Sequence, residues 1–157
     1  RFEQLEEVIT ICRLMWTQDE PSFEGRHFRI DGASAPPLPD PVPRICIGSS
    51  GEKVGLPLVG RLADMWNGSF RDDEVWKRRL GIVQASAERA GRNPADIEVT
   101  TTVERPLPET EVESEQWVEL LQHKADFGVQ HFVLDFGHPK SLEPVKRFIE
   151  QVMPAVK

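Results

Sequence analysis

Two cysteines in 157 residues, Cys12 and Cys46, are too few and too far apart to frame a disulfide scaffold, and no CxxC pair is present. Both lie in apolar patterns and read as reduced core thiols. The histidines at 27, 123, 131 and 138 never fall at HxxxH spacing, so no metal site is written here. Neither GxGxxG nor GK[ST] occurs, and there is no GxSxG elbow or cysteine with a visible base partner. No apolar run approaches the roughly 20 residues that cross a bilayer, and no signal peptide opens the chain. Positive charge is scarce: 19 Lys and Arg against 26 Asp and Glu leave a net charge of −7, which argues against nucleic acid or an anionic membrane as partner. These absences leave a soluble, cytoplasmic, globular protein of one-domain length. The first residue is Arg1, and a helical pattern is already under way at Phe2, so the sequence reads as starting inside a larger unit.

What is present is organised around residues 44–67, RICIGSSGEKVGLPLVGRLADMWN. Ile45, Cys46 and Ile47 suit a strand buried on both faces. Gly48, Ser49, Ser50 and Gly51 are small residues of the kind that turn a chain sharply or admit a ligand to its backbone. Val54, Leu56, Leu58, Val59 and Leu62 then offer a helical apolar face, and Ala63–Asn67 reads as a second strand. A helix start carries unpaired N–H groups and the positive end of the helix dipole, so this turn could hold an anion, with Lys53 adding a full charge. A plain strand-to-helix turn accounts for the same residues, and both readings stand. Pro57 would break a helix interior at a cost of roughly 3 kcal/mol, so the helix is expected to start late, at Leu56 with Pro57 first.

Upstream, Phe2, Leu5, Val8, Ile9, Cys12, Leu14 and Met15 recur at helical spacing, and Glu3, Glu6 and Glu7 form an acidic wet face with no evident partner. Phe23–Ile30 reads as a hairpin bent at Gly25, with Phe23, Phe28 and Ile30 buried. Prolines at 36, 37, 39, 41 and 43 force residues 33–43 to run extended over a surface. Downstream, a helix capped by Asp72 or Asp73 runs to Ala90 and ends on Gly91. Ile97–Val103 is a strand, Glu113–Phe127 a helix closed by Gly128, His131–Phe136 a buried strand, and Ser141 caps a last helix. Strict strand–helix alternation implies parallel strands with right-handed crossovers, hence a small open sheet or half of an eightfold barrel. In a barrel, Asn67, Glu104, Asp135 and His138 would stand at the ligand face, although each has an ordinary structural reading as well.

RFEQLEEVITICRLMWT, FEGRHFRIDGA, the proline run, PRICIGSSGEKVGLPLVGRLADMWN and the closing GVQHFVLDFG together resemble the bacterial luciferase-like monooxygenases, and within them the coenzyme F420-dependent oxidoreductases. The resemblance spans essentially the whole chain. It implies the C-terminal half of a (β/α)8 TIM barrel, about strands 5–8, with a β-hairpin insertion before the first strand. Residues 1–157 would be a single domain incomplete at its N-terminus: 1–43 helix, hairpin and connector, 44–157 four βα units. It further implies that Gly48, Ser49, Ser50, Gly51, Glu52 and Lys53 bind the cofactor phosphate, the cofactor being coenzyme F420 or alternatively FMN, and that the intact protein is an oxidoreductase, often a homo-oligomer. The family usually has two adjacent glycines where this chain has Gly48-Ser49, and no proline at Pro57. Residues near the reacting ring carbon belong to the other half, so no catalytic residue is assigned and the fragment alone is expected to be inactive. A truncated non-catalytic remnant and a small α/β binding module are the alternatives.

Overall fold

The computed structural model describes residues 1–139 and 141–156. Its elements follow the order α1 (Phe2–Thr17), β1 (Phe23–Glu24), β2 (Arg29–Ile30), β3 (Cys46–Gly48), α2 (Gly55–Leu62), β4 (Met65–Gly68), α3 (Asp73–Arg89), β5 (Glu98–Glu104), α4 (Glu111–Asp126), β6 (His131–Asp135) and α5 (Glu143–Arg147). Strands β1 and β2 pair antiparallel in a hairpin, and β5 pairs with β6. The chain divides into two compact units: Arg1–Trp66 with Arg79–Ile97, and Asn67–Arg78 with Glu98 onward.

In the first unit, Ile9, Ile47, Leu56, Leu58, Val59, Trp66, Val83 and Ala87 are buried. Helix α2 lies against the second part of α3 at Gly60, where an added Cβ would stand 2.5 Å from the Val83 carbonyl oxygen and 2.8 Å from the Ala87 amide nitrogen. Only glycine allows that approach. The acidic face of α1 is not idle. One Glu7 carboxylate accepts the backbone N–H groups of Arg26 (2.8 Å), His27 (2.9 Å) and Phe28 (2.8 Å), while Glu3 pairs with the Arg26 and His27 side chains at 3.1 Å each. Glu6 meets Arg61. The hairpin bend is thus clamped onto the helix, through contacts 19 to 24 residues apart that helical spacing cannot reveal.

Several burial expectations are corrected. Ile47 alone is buried in β3, with Cys46 exposed, so the strand is covered on one face and Cys46 is not a core thiol. Phe28 is exposed at the bend, and on α1 Phe2, Leu5 and Val8 are 47%, 38% and 41% exposed.

In the second unit, β5 and β6 pair in parallel, Thr100 opposite His131 through Glu104 opposite Asp135. Val103, Leu107, Trp117, Leu121, Phe148 and Val152 form its core, with Phe132 and Leu134 packed on it. Trp117 meets Phe148 edge-on at 5.2 Å and donates its indole N–H to the Pro106 carbonyl at 3.0 Å. On the opposite face of the strands Thr102, Glu104, His131, Val133 and Asp135 are exposed, whereas Thr100 on that face is buried. Two parallel strands with one face largely exposed depart from the usual arrangement, in which both faces are covered. Lys124 is 92% buried: its ammonium donates to the Phe70 carbonyl at 2.9 Å and lies 4.1 Å above the Phe70 ring, which stacks on Trp76 at 4.5 Å.

Caps explain both ends of α3 and of α4. Asp72 accepts the Val75 N–H at 2.8 Å, Thr110 and Glu113 form a capping box on α4, and Gly91 and Gly128 adopt the left-handed conformation past the ends of α3 and α4. The last helix departs from expectation. Pro144 fixes its first turn at Glu143, so the N-cap is Leu142 without a side-chain bond, and Ser141 stands outside. A π-helical turn, Phe148–Val152, then carries Phe148 and Val152 into the core and leaves Ile149 exposed.

Candidate functional site

The turn between β3 and α2 lies wholly in the first unit. Ser49 anchors it at two points. Its carbonyl accepts the indole N–H of the fully buried Trp66 at 3.0 Å, and its hydroxyl accepts the Gly51 N–H at 3.2 Å. That hydroxyl lies against Gly55, where an added Cβ would force the Ser49 side chain to another rotamer and break its bond to the Gly51 N–H. Leu56 donates to the Gly51 carbonyl at 2.9 Å and Leu58 to the Val54 carbonyl at 3.0 Å. Helix α2 therefore starts at Gly55, one residue ahead of expectation, and Pro57 is its third residue. A first-turn N–H has no intrahelical partner, so proline there forfeits no helix bond.

Gly48, Ser50, Gly51, Lys53 and Val54 are exposed, and Ser49 and Glu52 half-buried. Among the described residues, the backbone N–H groups of Ser50, Lys53 and Val54 have no hydrogen-bond partner. Arg79, from α3, brings Nε to 3.8 Å from a Glu52 oxygen. The six residues of the turn are thus together, with donors and a lysine at the positive end of a helix dipole. Arg79 and Trp66 are the participants that sequence spacing did not give: an arginine 27 residues from its carboxylate partner leaves no local signal.

The far end of α2 holds the helix in place. Arg92 donates to the Gly60 carbonyl (2.9 Å) and the Ala63 carbonyl (2.7 Å), and Arg13 to the Leu62 carbonyl (2.9 Å), satisfying carbonyls that a helix end leaves unpaired. Arg13 also pairs with Asp64 at 2.8 Å. Burial pushes the Asp64 carboxyl up, but the Ile45 N–H and Arg13 outweigh it, and the group sits below the usual carboxylate range.

The strand-end residues belong to the second unit. Asn67 donates to the Thr102 hydroxyl at 3.3 Å, Glu104 and Asp135 are neighbours in register, and Asp135 accepts the Gly137 N–H at 2.9 Å. His138 is exposed, His123 pairs with Asp73 at 3.0 Å and His131 with Glu98 at 3.1 Å. No group of three potential metal ligands occurs among the described residues.

The sequence pattern of the family described as luciferase-like monooxygenase matches residues 1–150. The chain belongs to the luciferase-like monooxygenase family. It is 31% identical over 100 residues to an F420-dependent glucose-6-phosphate dehydrogenase of Mycolicibacterium gilvum, covering 62% of this luciferase-like chain and 30% of that protein. In structure it resembles an F420-dependent secondary alcohol dehydrogenase solved with an F420–acetone adduct, with a TM-score of 0.83 at 18% identity over 96% of this chain and 60% of that one. A riboflavin lyase solved with modified FMN and riboflavin superposes with a TM-score of 0.60 at 15% identity, over 76% of this chain and 32% of that one. The luciferase-like chain thus matches less than a third of the length of the dehydrogenase relative. Its α/β fold is that of the luciferase-like barrel enzymes, and the family is one of enzymes. No helix of the described residues is long and apolar enough to cross a membrane.

Proposed function

We propose that this chain is the C-terminal half, about strands five to eight, of a luciferase-like barrel oxidoreductase, and that Gly48, Ser49, Ser50, Gly51, Glu52 and Lys53 hold the phosphate of its cofactor. The observation that carries the reading is the set of three exposed, unpartnered N–H groups at Ser50, Lys53 and Val54, beside the Lys53 ammonium at the start of α2. The largely exposed face of β5 and β6, from Thr102 to Glu104 and His131 to Asp135, favours the half-barrel: parallel strands usually have both faces covered. In such a barrel β1 and β2 form an insertion ahead of strand five, and the single domain lacks its N-terminal half. The F420-dependent relative and structural neighbour favour coenzyme F420, with FMN second.

Once bound, the cofactor supplies the redox chemistry, hydride transfer for a deazaflavin or monooxygenation for a flavin. The residues here bind and orient it. The N–H groups and Lys53 fix the phosphate end, Trp66 holds the Ser49 carbonyl turned inward, and α2 presents its positive end. No residue of this segment is assigned to the reacting atoms. The intact enzyme would act on a small-molecule substrate in the cytoplasm, as a homo-oligomer.

Titration of the chain with coenzyme F420 and, separately, FMN, followed by fluorescence, tests the reading. Saturable binding that is lost in Lys53→Ala is expected. A folded chain that binds neither cofactor contradicts it.

A further inference from the structure

Three contacts hold the Ser49 side chain in place. The Ser49 carbonyl accepts the Trp66 indole N–H at 3.0 Å, which fixes the backbone that carries it. The Gly51 N–H donates to Oγ at 3.2 Å. Gly55 leaves the room that Oγ fills, since a Cβ there would stand 2.0 Å from it. A serine so held keeps one rotamer. A hydroxyl carries one donor and two acceptor lone pairs. Gly51 uses one lone pair, and the O–H itself has no acceptor among the described residues. The bond from Gly51 closes the turn without that proton, and it polarises the O–H into a stronger donor. Ser49 thus changes what the turn offers an anion. It takes up the Gly51 N–H, which a glycine at position 49 would leave unpaired, and presents an O–H in its place.

We infer that Ser49 is a hydroxyl relay: it accepts the Gly51 N–H and donates its own O–H to a phosphate oxygen, so that this side chain sets the turn's preference for phosphorylated ligands. The inference rests on the phosphate reading above and deepens it, because that reading draws only on backbone N–H groups and Lys53. It also makes Gly55 a positioning residue, which keeps Oγ on Gly51 without touching the phosphate.

The test is a ratio of dissociation constants on the full chain: riboflavin over FMN and, separately, the deazaflavin core over coenzyme F420. Only one member of each pair carries the phosphate, and wild type should prefer it. Ser49→Ala should lower that preference about tenfold, the scale of a hydrogen bond to a charged group. Ser49→Thr, which keeps the hydroxyl, should retain most of it. Gly55→Ala should also lower it, by turning Oγ away from Gly51, and should add little once Ser49 is alanine. Unfolding midpoints are measured alongside, since a merely structural role would move the midpoint and leave the ratio unchanged. Equal binding within both pairs, or none by a folded chain, overturns the phosphate reading and this inference with it. A preference that survives or rises in folded Ser49→Ala overturns this inference alone, because the freed Gly51 N–H then serves as well as the hydroxyl. A Gly55→Ala effect that is undiminished in the Ser49→Ala background overturns it too. If Gly55→Ala does not fold, the Ser49→Ala ratio decides.

Discussion

Gly60→Ala should destabilise the first unit, although alanine is the better helix former. The helix term favours the variant by about 1 kcal/mol. Against it, the new Cβ would stand 2.5 Å from the Val83 oxygen, 2.7 Å from Ser86 Cβ and 2.8 Å from the Ala87 nitrogen. Two of these three atoms are α3 backbone, which cannot rotate aside as a side-chain end would. Restoring ordinary contact requires α2 and α3 to part by roughly 1 Å, which loosens the packing of Leu56, Val59, Val83 and Ala87 and strains the Arg92 bond to the Gly60 carbonyl. Overpacking of this kind costs about 1–3 kcal/mol, and with backbone in the way the upper half of that range applies, so a net loss of about 1–2 kcal/mol is expected. Urea unfolding followed by tryptophan emission should show a lower midpoint at an unchanged slope. Gly81→Ala is the control, because a Cβ at that α3 position meets nothing within 4 Å and should raise the midpoint. A Gly60→Ala protein as stable as wild type would refute the close-packing argument.

Glu7→Ala should free the hairpin bend, read as faster hydrogen exchange at the Arg26, His27 and Phe28 amides with α1 intact. Partial burial raises the Glu7 carboxyl, and the three N–H groups more than offset it, so its pKa lies below the usual range. Its contribution is therefore present above the unfolded pKa and lost as pH falls through the lower folded value, and acid should loosen the bend more in wild type than in the variant, where Glu3 alone is left to titrate. Burial lowers the Lys124 pKa below 10.5, with Asp73 opposing. Because the unfolded chain then binds more protons, stability should rise with pH between that lowered value and 10.5, a rise that Lys124→Met should abolish in pH-dependent melting curves. Arg92→Ala leaves the Gly60 and Ala63 carbonyls without their donor, and a loss of about 1–3 kcal/mol is expected in the same urea assay.

Local rules made the elements legible and long-range partners did not. Glycines 91 and 128, the Asp72 cap and the β-branched run of β5 each act within four residues, so their signals lie in the sequence itself. The β3 turn was legible in outline for the same reason, small residues between an apolar triplet and a helical face. Burial was harder to read, because it depends on what covers a face. Apolar spacing on α1 and β3 predicts a covered side, yet Phe2, Leu5, Val8 and Cys46 are exposed. The site's electrostatics were hidden too: Arg79 reaches Glu52, and Trp66 reaches Ser49, across 27 and 17 residues, distances over which no periodicity operates. Pro57 read as a threat to the helix because the apolar pattern of α2 already begins at Val54. With Gly55 first, its ring falls where no helix bond is lost.

The most direct measurement is an amide nitrogen–proton correlation spectrum of the chain titrated with FMN and with riboflavin, repeated with coenzyme F420. Shifts at the Ser50, Lys53 and Val54 amides that appear with the phosphorylated ligands and not with riboflavin are the predicted result. Binding that leaves those three amides unmoved would place the phosphate elsewhere and contradict the account.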